Sequence, residues 1–166
     1  DIVISTMGDK RSNGIDIGTG SGCISILLKK KLKLNMHAVD FSQDVLSRAR
    51  INANDHNVDI EFKLLNILNF DRLDLFPDFD FIVSNPPYVL RSEVPPDSNV
   101  HVEPMSSIFV QEDDPLIFYR SICEFAQKKL KKSGIIFFEI NPIFHKDLTL
   151  LFKQYNYVNI ETRISI

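Results

Sequence analysis

Phe81-Ile82-Val83-Ser84-Asn85-Pro86-Pro87-Tyr88 is an apolar run that stops abruptly at an amide, two prolines and a tyrosine. It predicts a buried strand delivering a rigid loop. Proline fixes φ and has no N–H, so Pro86 and Pro87 can extend neither a helix nor a central strand, and their carbonyl oxygens are left as uncontested acceptors. Asn85 adds a side-chain carbonyl beside them, and Tyr88 a flat ring with a polar tip. The group suits a planar ligand that carries an NH2. Taken alone, the segment reads more simply as a strand followed by a Pro-Pro turn, since Asn-Pro is a common turn dipeptide. A second pattern upstream changes that balance.

Working outward, Ile15-Asp16-Ile17 reads as a short strand, weakened by Gly14, that runs straight into Gly18-Thr19-Gly20-Ser21-Gly22. Cys23, Ile24, Ile26, Leu27 and Leu28 then make the apolar side of a helix ending in Lys29-Lys30-Lys31, cations placed as a helix C-terminus favours. Residues 35 to 40 form a second strand ending on Asp40, and Ser42 is the N-cap of a helix carrying Val45, Leu46 and Ala49 at helical spacing. A third strand spans 60 to 65 with Asn66 at its end, followed by a polar connection from 71 to 78. Strand four is the opening stretch. Before strand one, residues 1 to about 13 read as a fragment of a preceding helix and a turn.

Residues 89 to about 112 hold Pro95-Pro96, Asp97-Ser98-Asn99 and Glu103-Pro104 and show no period. A structureless segment of that length in a compact domain predicts a lid or binding loop. An amphipathic helix follows over 117 to 130, with Ile117, Ile122, Phe125, Ala126 and Leu130 inward and Gly134 as its terminator. Ile135 to Ile140 is strand five, about 143 to 155 a last helix, and Val158 to Ile166 a sixth strand.

Strands that alternate with helices throughout predict an α/β, doubly wound, mostly parallel sheet covered on both faces. In such sheets ligands bind at the carboxyl ends of the strands where the strand order reverses, here between strands one and four. Those two ends carry the glycine loop and the Asn-Pro-Pro-Tyr loop. Gly18, Gly20 and Gly22 permit a tight turn and let a ligand approach the backbone and the following helix N-terminus. Asp16 is placed to orient that loop, and Asp40 lies where a carboxylate accepts hydrogen bonds from ribose hydroxyls. A glycine pattern alone would equally suit a nicotinamide dinucleotide. Against that option, the chain has no second mononucleotide half and has an amide-gripping loop instead.

Composition narrows the class. With 166 residues the chain is long enough for one α/β domain and short for two. Hydrophobic residues at 44% and charged residues at 25% are near globular averages and argue against disorder. A net charge of -3 leaves no footprint of a strong nucleic-acid binder. Cys23 and Cys123 have no metal-ligand spacing, and neither do His37, His56, His101 and His145, so no metal is expected. The absence of a spanning apolar run and of a signal peptide predicts a soluble, cytoplasmic protein without membrane contact.

The ordered series Asp16-Ile17-Gly18-Thr19-Gly20-Ser21-Gly22, Ala38-Val39-Asp40, Ile82 to Tyr88, Glu103-Pro104, Phe118-Tyr119-Arg120 and Phe138-Glu139-Ile140 resembles the glutamine N5-methyltransferases that modify peptide chain release factors. Asn-Pro-Pro-Tyr by itself is shared with DNA adenine and other amino-methyltransferases; the extended series points to the release-factor branch. The resemblance implies the class I, Rossmann-like methyltransferase fold, with S-adenosylmethionine as donor and S-adenosylhomocysteine as product. It implies a donor site over Asp16, Gly18, Thr19, Gly20, Ser21, Gly22, Asp40, Asn66, Ile67 and Asn85, and an acceptor site of Asn85, Pro86, Pro87 and Tyr88. The protein partner would be a release factor, and the location the cytoplasm.

The sequence departs from the family at Asn66, usually acidic, at Val102, where an aromatic is favoured, and at Asn141, where many members have glycine. The family's N-terminal helical domain is expected to be missing, leaving a single catalytic domain over 1 to 166, and its C-terminal hairpin to be incomplete, leaving a sheet edge unpaired. Glu139 reads as loop support and Cys123 as packing. Two rival functions remain in view: an adenine N6- or guanine N2-methyltransferase, which needs a basic groove, and a non-catalytic donor-binding module.

Overall fold

In the computed structural model, which describes residues 2–8, 11–88 and 113–163, five parallel strands form one sheet in the order β3-β2-β1-β4-β5. These are β1 (Ser12–Ile17), β2 (Leu34–Asp40), β3 (Glu61–Leu64), β4 (Phe79–Ser84) and β5 (Leu130–Phe138). The helices are α1 (Ile2–Met7), α2 (Cys23–Lys31), α3 (Gln43–Asp55), α4 (Ile117–Lys129) and α5 (His145–Gln154), with short 3-10 turns at Leu73–Leu75 and Pro142–Phe144.

Strand alternation sorts the side chains into two cores. Leu34, Met36, Ala38, Phe81 and Val83 face α1 to α3 and pack with Val3, Ile26, Leu28 and Ala53. Ile15, Ile17, Val39 and Ile82 face the other way, against Ile122, Phe125 and Ala126 of α4. A third cluster joins Tyr119 of α4 to Phe144, Leu148 and Leu151. Strands buried on both faces read as continuous apolar runs, which is why β4 stood out in the sequence.

Three expectations need correction. Gly14 does not merely weaken β1: a Cβ built there would lie 2.2 Å from Cζ of Phe81, so the glycine makes room for a ring that is 0% exposed. Gly134 does not end α4, because that helix stops at Lys129 and β5 starts at Leu130. Phe79 pairs with Leu130 but Phe81 with Ile135, so the residues between them on β5 bulge out of register, and Gly134 lies in that bulge. Lastly, residues 158–163 form no strand and Val158 is exposed, so the described sheet has five strands and not six. The β-branched composition of that stretch favours a strand, but it makes no ladder with β5. The predicted lid over 89 to 112, with Glu103 and Pro104, lies outside the described residues.

Candidate functional site

Register fixes where the two loops meet. Ile17, the last residue of β1, pairs with Ser84, the last residue of β4. Gly18 and Asn85 are therefore the next residues on neighbouring strands, at the point where the strand order reverses. The carboxyl ends of the other strands lie on the same side: Asp40 as the last residue of β2 with Phe41 after it, Asn66 after β3 and Glu139 after β5.

The glycine loop folds back over β2. Its Gly18 and Thr19 N–H groups both donate to the Val39 carbonyl, at 2.9 and 3.0 Å. Gly18, Gly20 and Gly22 have φ of 73°, 57° and 85°, left-handed values that a Cβ makes costly. At Gly18 and Gly20 an added Cβ would meet open space, so the backbone there is open to approach; at Gly22 it would meet Ala49 and Ile26 at 3.4 and 3.5 Å. Gly22 is also the N-cap of α2, and in the first turn of that helix the Ser25 N–H is bonded to the Asp16 carboxylate.

Two carboxylates brace this loop. Oδ2 of Asp16 accepts from the hydroxyls of Thr19 at 2.8 Å and Ser25 at 2.6 Å. Oδ1 of Asp16 is buried with no hydrogen-bond partner among the described residues. Burial raises the Asp16 carboxyl above its ordinary value, against the opposing effect of the two hydroxyl bonds. Asp40 accepts from Gly20 N–H at 3.1 Å through Oδ2 and from Ser42 N–H at 3.0 Å through Oδ1. A carboxylate has about four lone-pair positions, so two remain for a ligand. The Ser21 side chain contacts Cys23 Sγ at 3.2 Å, and its carbonyl accepts from Asn52 of α3 at 2.8 Å.

Asn66 is exposed, and its Oδ1 accepts from Leu68 N–H at 3.0 Å, which leaves one lone pair. Ile67 is buried in the core that faces α4, so its side chain packs there and not against the loops. On the opposite loop Asn85 is exposed, Pro86 is buried, and Pro87 and Tyr88 are half-buried. The Tyr88 hydroxyl donates to Oε1 of Glu139 at 2.9 Å. Burial, then the hydrogen bond to Glu139 and its charge, push the Tyr88 phenol up.

Two residues beside these loops had no site role in the reading of the sequence: Phe41 was not singled out, and Tyr119 was named only within the Phe118-Tyr119-Arg120 motif. Phe41 is 56% exposed directly after the buried Asp40, an apolar ring open to solvent at the carboxyl end of β2; the available signal was an aromatic at the strand end. Tyr119 is fully buried and its hydroxyl donates to the Glu139 carbonyl at 3.0 Å. It lies three and four residues before Ile122 and Cys123, on the same buried stripe of α4. Among the described residues no group of three or more His, Cys, Asp or Glu is gathered for a metal, and no helix is long and apolar enough to cross a membrane. A depression lined by Asn13, Asn35, His37, Ile60 and Glu61 lies at the amino ends of the strands, remote from both loops.

A parallel sheet in this order, with a glycine loop after its first strand and an acid after its second, defines the class I methyltransferase fold. A family model for a methyltransferase domain matches residues 9–156, and the chain belongs to that family. Several relatives carry the same printed name, release factor glutamine methyltransferase, two of them over most of this chain. The protein from Flavobacterium psychrophilum is 43% identical over 151 residues, covering 87% of this chain and 51% of its own. The protein from Bacteroides thetaiotaomicron is 35% identical over 163 residues, covering 96% of this chain and 58% of its own. The chain thus spans about half the length of the curated relatives it matches. Among solved structures, the ribosomal protein L11 methylase of Lactobacillus delbrueckii subsp. bulgaricus superposes with a TM-score of 0.70 at 18% identity, over 99% of this chain and 70% of its own. That likeness supports the fold alone.

Proposed function

We propose that this chain carries the catalytic site of an S-adenosylmethionine-dependent enzyme that methylates the side-chain N5 of a glutamine in a peptide chain release factor. The observation that supports the reading is the Ile17–Ser84 pairing, by which the glycine loop and the Asn-Pro-Pro-Tyr loop leave neighbouring strands side by side. The donor side fits: open space over Gly18 and Gly20, two free acceptor positions on Asp40, and an orphaned buried oxygen on Asp16. Asp40 would accept from the ribose hydroxyls, the second lone pair of Asn66 Oδ1 from the adenine amino group, and the backbone from Gly18 to Gly22 would border the rest of the donor.

The acceptor is a poor nucleophile, because the amide nitrogen shares its lone pair with the carbonyl. If the Asn85 side-chain oxygen and the Pro86 carbonyl each accept one amide hydrogen, they fix the nitrogen with its π-face toward the donor and stabilise the positive charge that develops there. When bound, the donor supplies a methyl group on a sulfonium sulfur, whose C–S bond breaks with the electron pair returning to sulfur as the N–C bond forms. The extra amide proton leaves for solvent, so no strong base is required. Tyr88 and Pro87 wall the amide plane and exclude water.

The test incubates the chain with methyl-labelled S-adenosylmethionine and a release factor, and maps the label by mass spectrometry. Label on a glutamine side chain is expected. Label only on nucleic acid would reassign the substrate, a reading that the net charge of -3 does not favour.

A further inference from the structure

Glu139, the residue after β5, is held by three different parts of the chain. Its N–H donates to the Ser84 carbonyl at 3.0 Å, extending the β4–β5 ladder one step past the Ser84–Phe138 pair. Its own carbonyl accepts from the Tyr119 hydroxyl at 3.0 Å. Tyr119 is 0% exposed, and its ring meets Phe138 edge-on at 5.2 Å between centroids, so that hydroxyl is an immobile donor. With its backbone pinned on both sides, Glu139 presents its carboxylate from a fixed point. The Tyr88 hydroxyl ends on that carboxylate at 2.9 Å.

The loop it reaches needs such a tie. Neither Pro86 nor Pro87 has an N–H, so the segment between Ser84 and Tyr88 has few backbone donors with which to hold itself in place. Ser84 anchors one end through the ladder and through its hydroxyl bond to Ile17. Tyr88 marks the other end, and Asn85 and Pro86 hang between the two.

We propose that Glu139 is the positioning residue of the acceptor loop: by holding the Tyr88 hydroxyl it sets the direction of the Asn85 and Pro86 carbonyl oxygens. This rests on the reading of that loop as the amide-binding wall. The role asks for a hydrogen-bond acceptor at the end of a four-atom reach, not for a charge or a base. Glutamine keeps that acceptor and that reach, aspartate loses a methylene of it, and alanine loses both.

The experiment compares wild type, E139Q, E139D, E139A, Y88F and the E139A/Y88F pair, each with labelled S-adenosylmethionine and a release factor. E139A is expected to lower kcat roughly tenfold to a hundredfold, the range that a displaced acceptor produces. The dissociation constant for S-adenosylmethionine, measured by calorimetry, should stay within about twofold, because Glu139 shares no hydrogen bond with Asp40 or the glycine loop, which hold most of the donor. E139Q should hold kcat near wild type, and E139A/Y88F should be no slower than the worse single variant. The second readout needs no turnover: with four tyrosines and no tryptophan in the chain, the Tyr88 ionisation can be isolated by difference from Y88F. It should fall toward the ordinary phenol range in E139A. An E139Q variant as slow as E139A would assign a charge-dependent role and overturn the proposal. So would an E139A variant whose Tyr88 titration moves while kcat does not, or one in which neither changes. A wild-type chain that transfers no methyl to glutamine counts against the functional reading instead, and the Tyr88 titration then still decides whether the tie exists.

Discussion

The Ser84 hydroxyl donates a 2.6 Å hydrogen bond to the Ile17 carbonyl, and both residues are almost wholly buried. They are the last residues of two paired strands, so this one bond joins the root of the glycine loop to the root of the Asn-Pro-Pro-Tyr loop. Beyond Asn85 two successive residues lack an N–H, so this bond is among the last ties between the strands before the proline loop.

Ser84→Ala should leave the Ile17 carbonyl buried without that donor and cost about 1–3 kcal/mol of stability. Urea unfolding is the check, with a lower midpoint expected at an unchanged slope. A midpoint equal to wild type would mean that the carbonyl finds another donor.

Asp40 and Asn85 stand on different walls and should fail differently. Asp40→Ala removes the acceptor proposed for the ribose and also the brace on Gly20 N–H. It should weaken S-adenosylmethionine binding by roughly 10- to 100-fold, as the loss of a charged hydrogen bond does. Asn85→Ala should mainly slow methyl transfer. Calorimetry on both variants beside single-turnover rates checks the assignment, and the reverse pattern would exchange the two roles.

Gly14→Ala tests the packing between β1 and β4. The new methyl would lie inside van der Waals contact with the Phe81 ring, which is buried on every side and has little room to yield. Overpacking of this kind costs about 1–3 kcal/mol. Phe81→Leu in the Gly14→Ala background should recover part of that loss in thermal melts, while the two changes taken singly should both destabilise.

Asp16 gives a pH dependence with a defined sign. Its carboxyl is raised by burial above the ordinary 3.8, so it favours the fold most when protonated. That contribution is complete below the ordinary value and is lost as pH rises through the folded one. Asp16→Asn keeps an oxygen for the Thr19 and Ser25 hydroxyls without the charge. It should therefore melt higher than wild type at neutral pH, with the difference shrinking as pH falls toward 4. A difference independent of pH would show that the charge is not the cause.

Alkaline unfolding should follow from α4. Burial pushes the Cys123 thiol up to about 12 and raises the Tyr119 phenol as well. Both groups stabilise the fold fully below their ordinary values and lose that contribution as pH rises through the folded ones. Melting temperature should decline above about pH 9, where an unfolded thiol already ionises. Cys123→Ala should make that decline shallower, at the cost of a lower melting temperature at neutral pH.

From the sequence alone came the layers and the meeting of strands one and four, because buried parallel strands are written as apolar runs that the glycine and proline loops interrupt at their ends; the full order β3-β2-β1-β4-β5 came from the fold. Asp16, Asp40 and the loops from 18 to 22 and from 85 to 88 were legible for that reason: each is a polar or backbone-special residue at the boundary of an apolar segment. Tertiary structure alone decided what depends on contacts between distant segments. The Phe81 ring over Gly14, the bulge in β5, the inward turn of Ile67 and the hold of Tyr119 on Glu139 all arise from packing across the sheet. Local pattern records which residues are buried, but which buried group meets which is set only when β4, β5 and α4 close on one another.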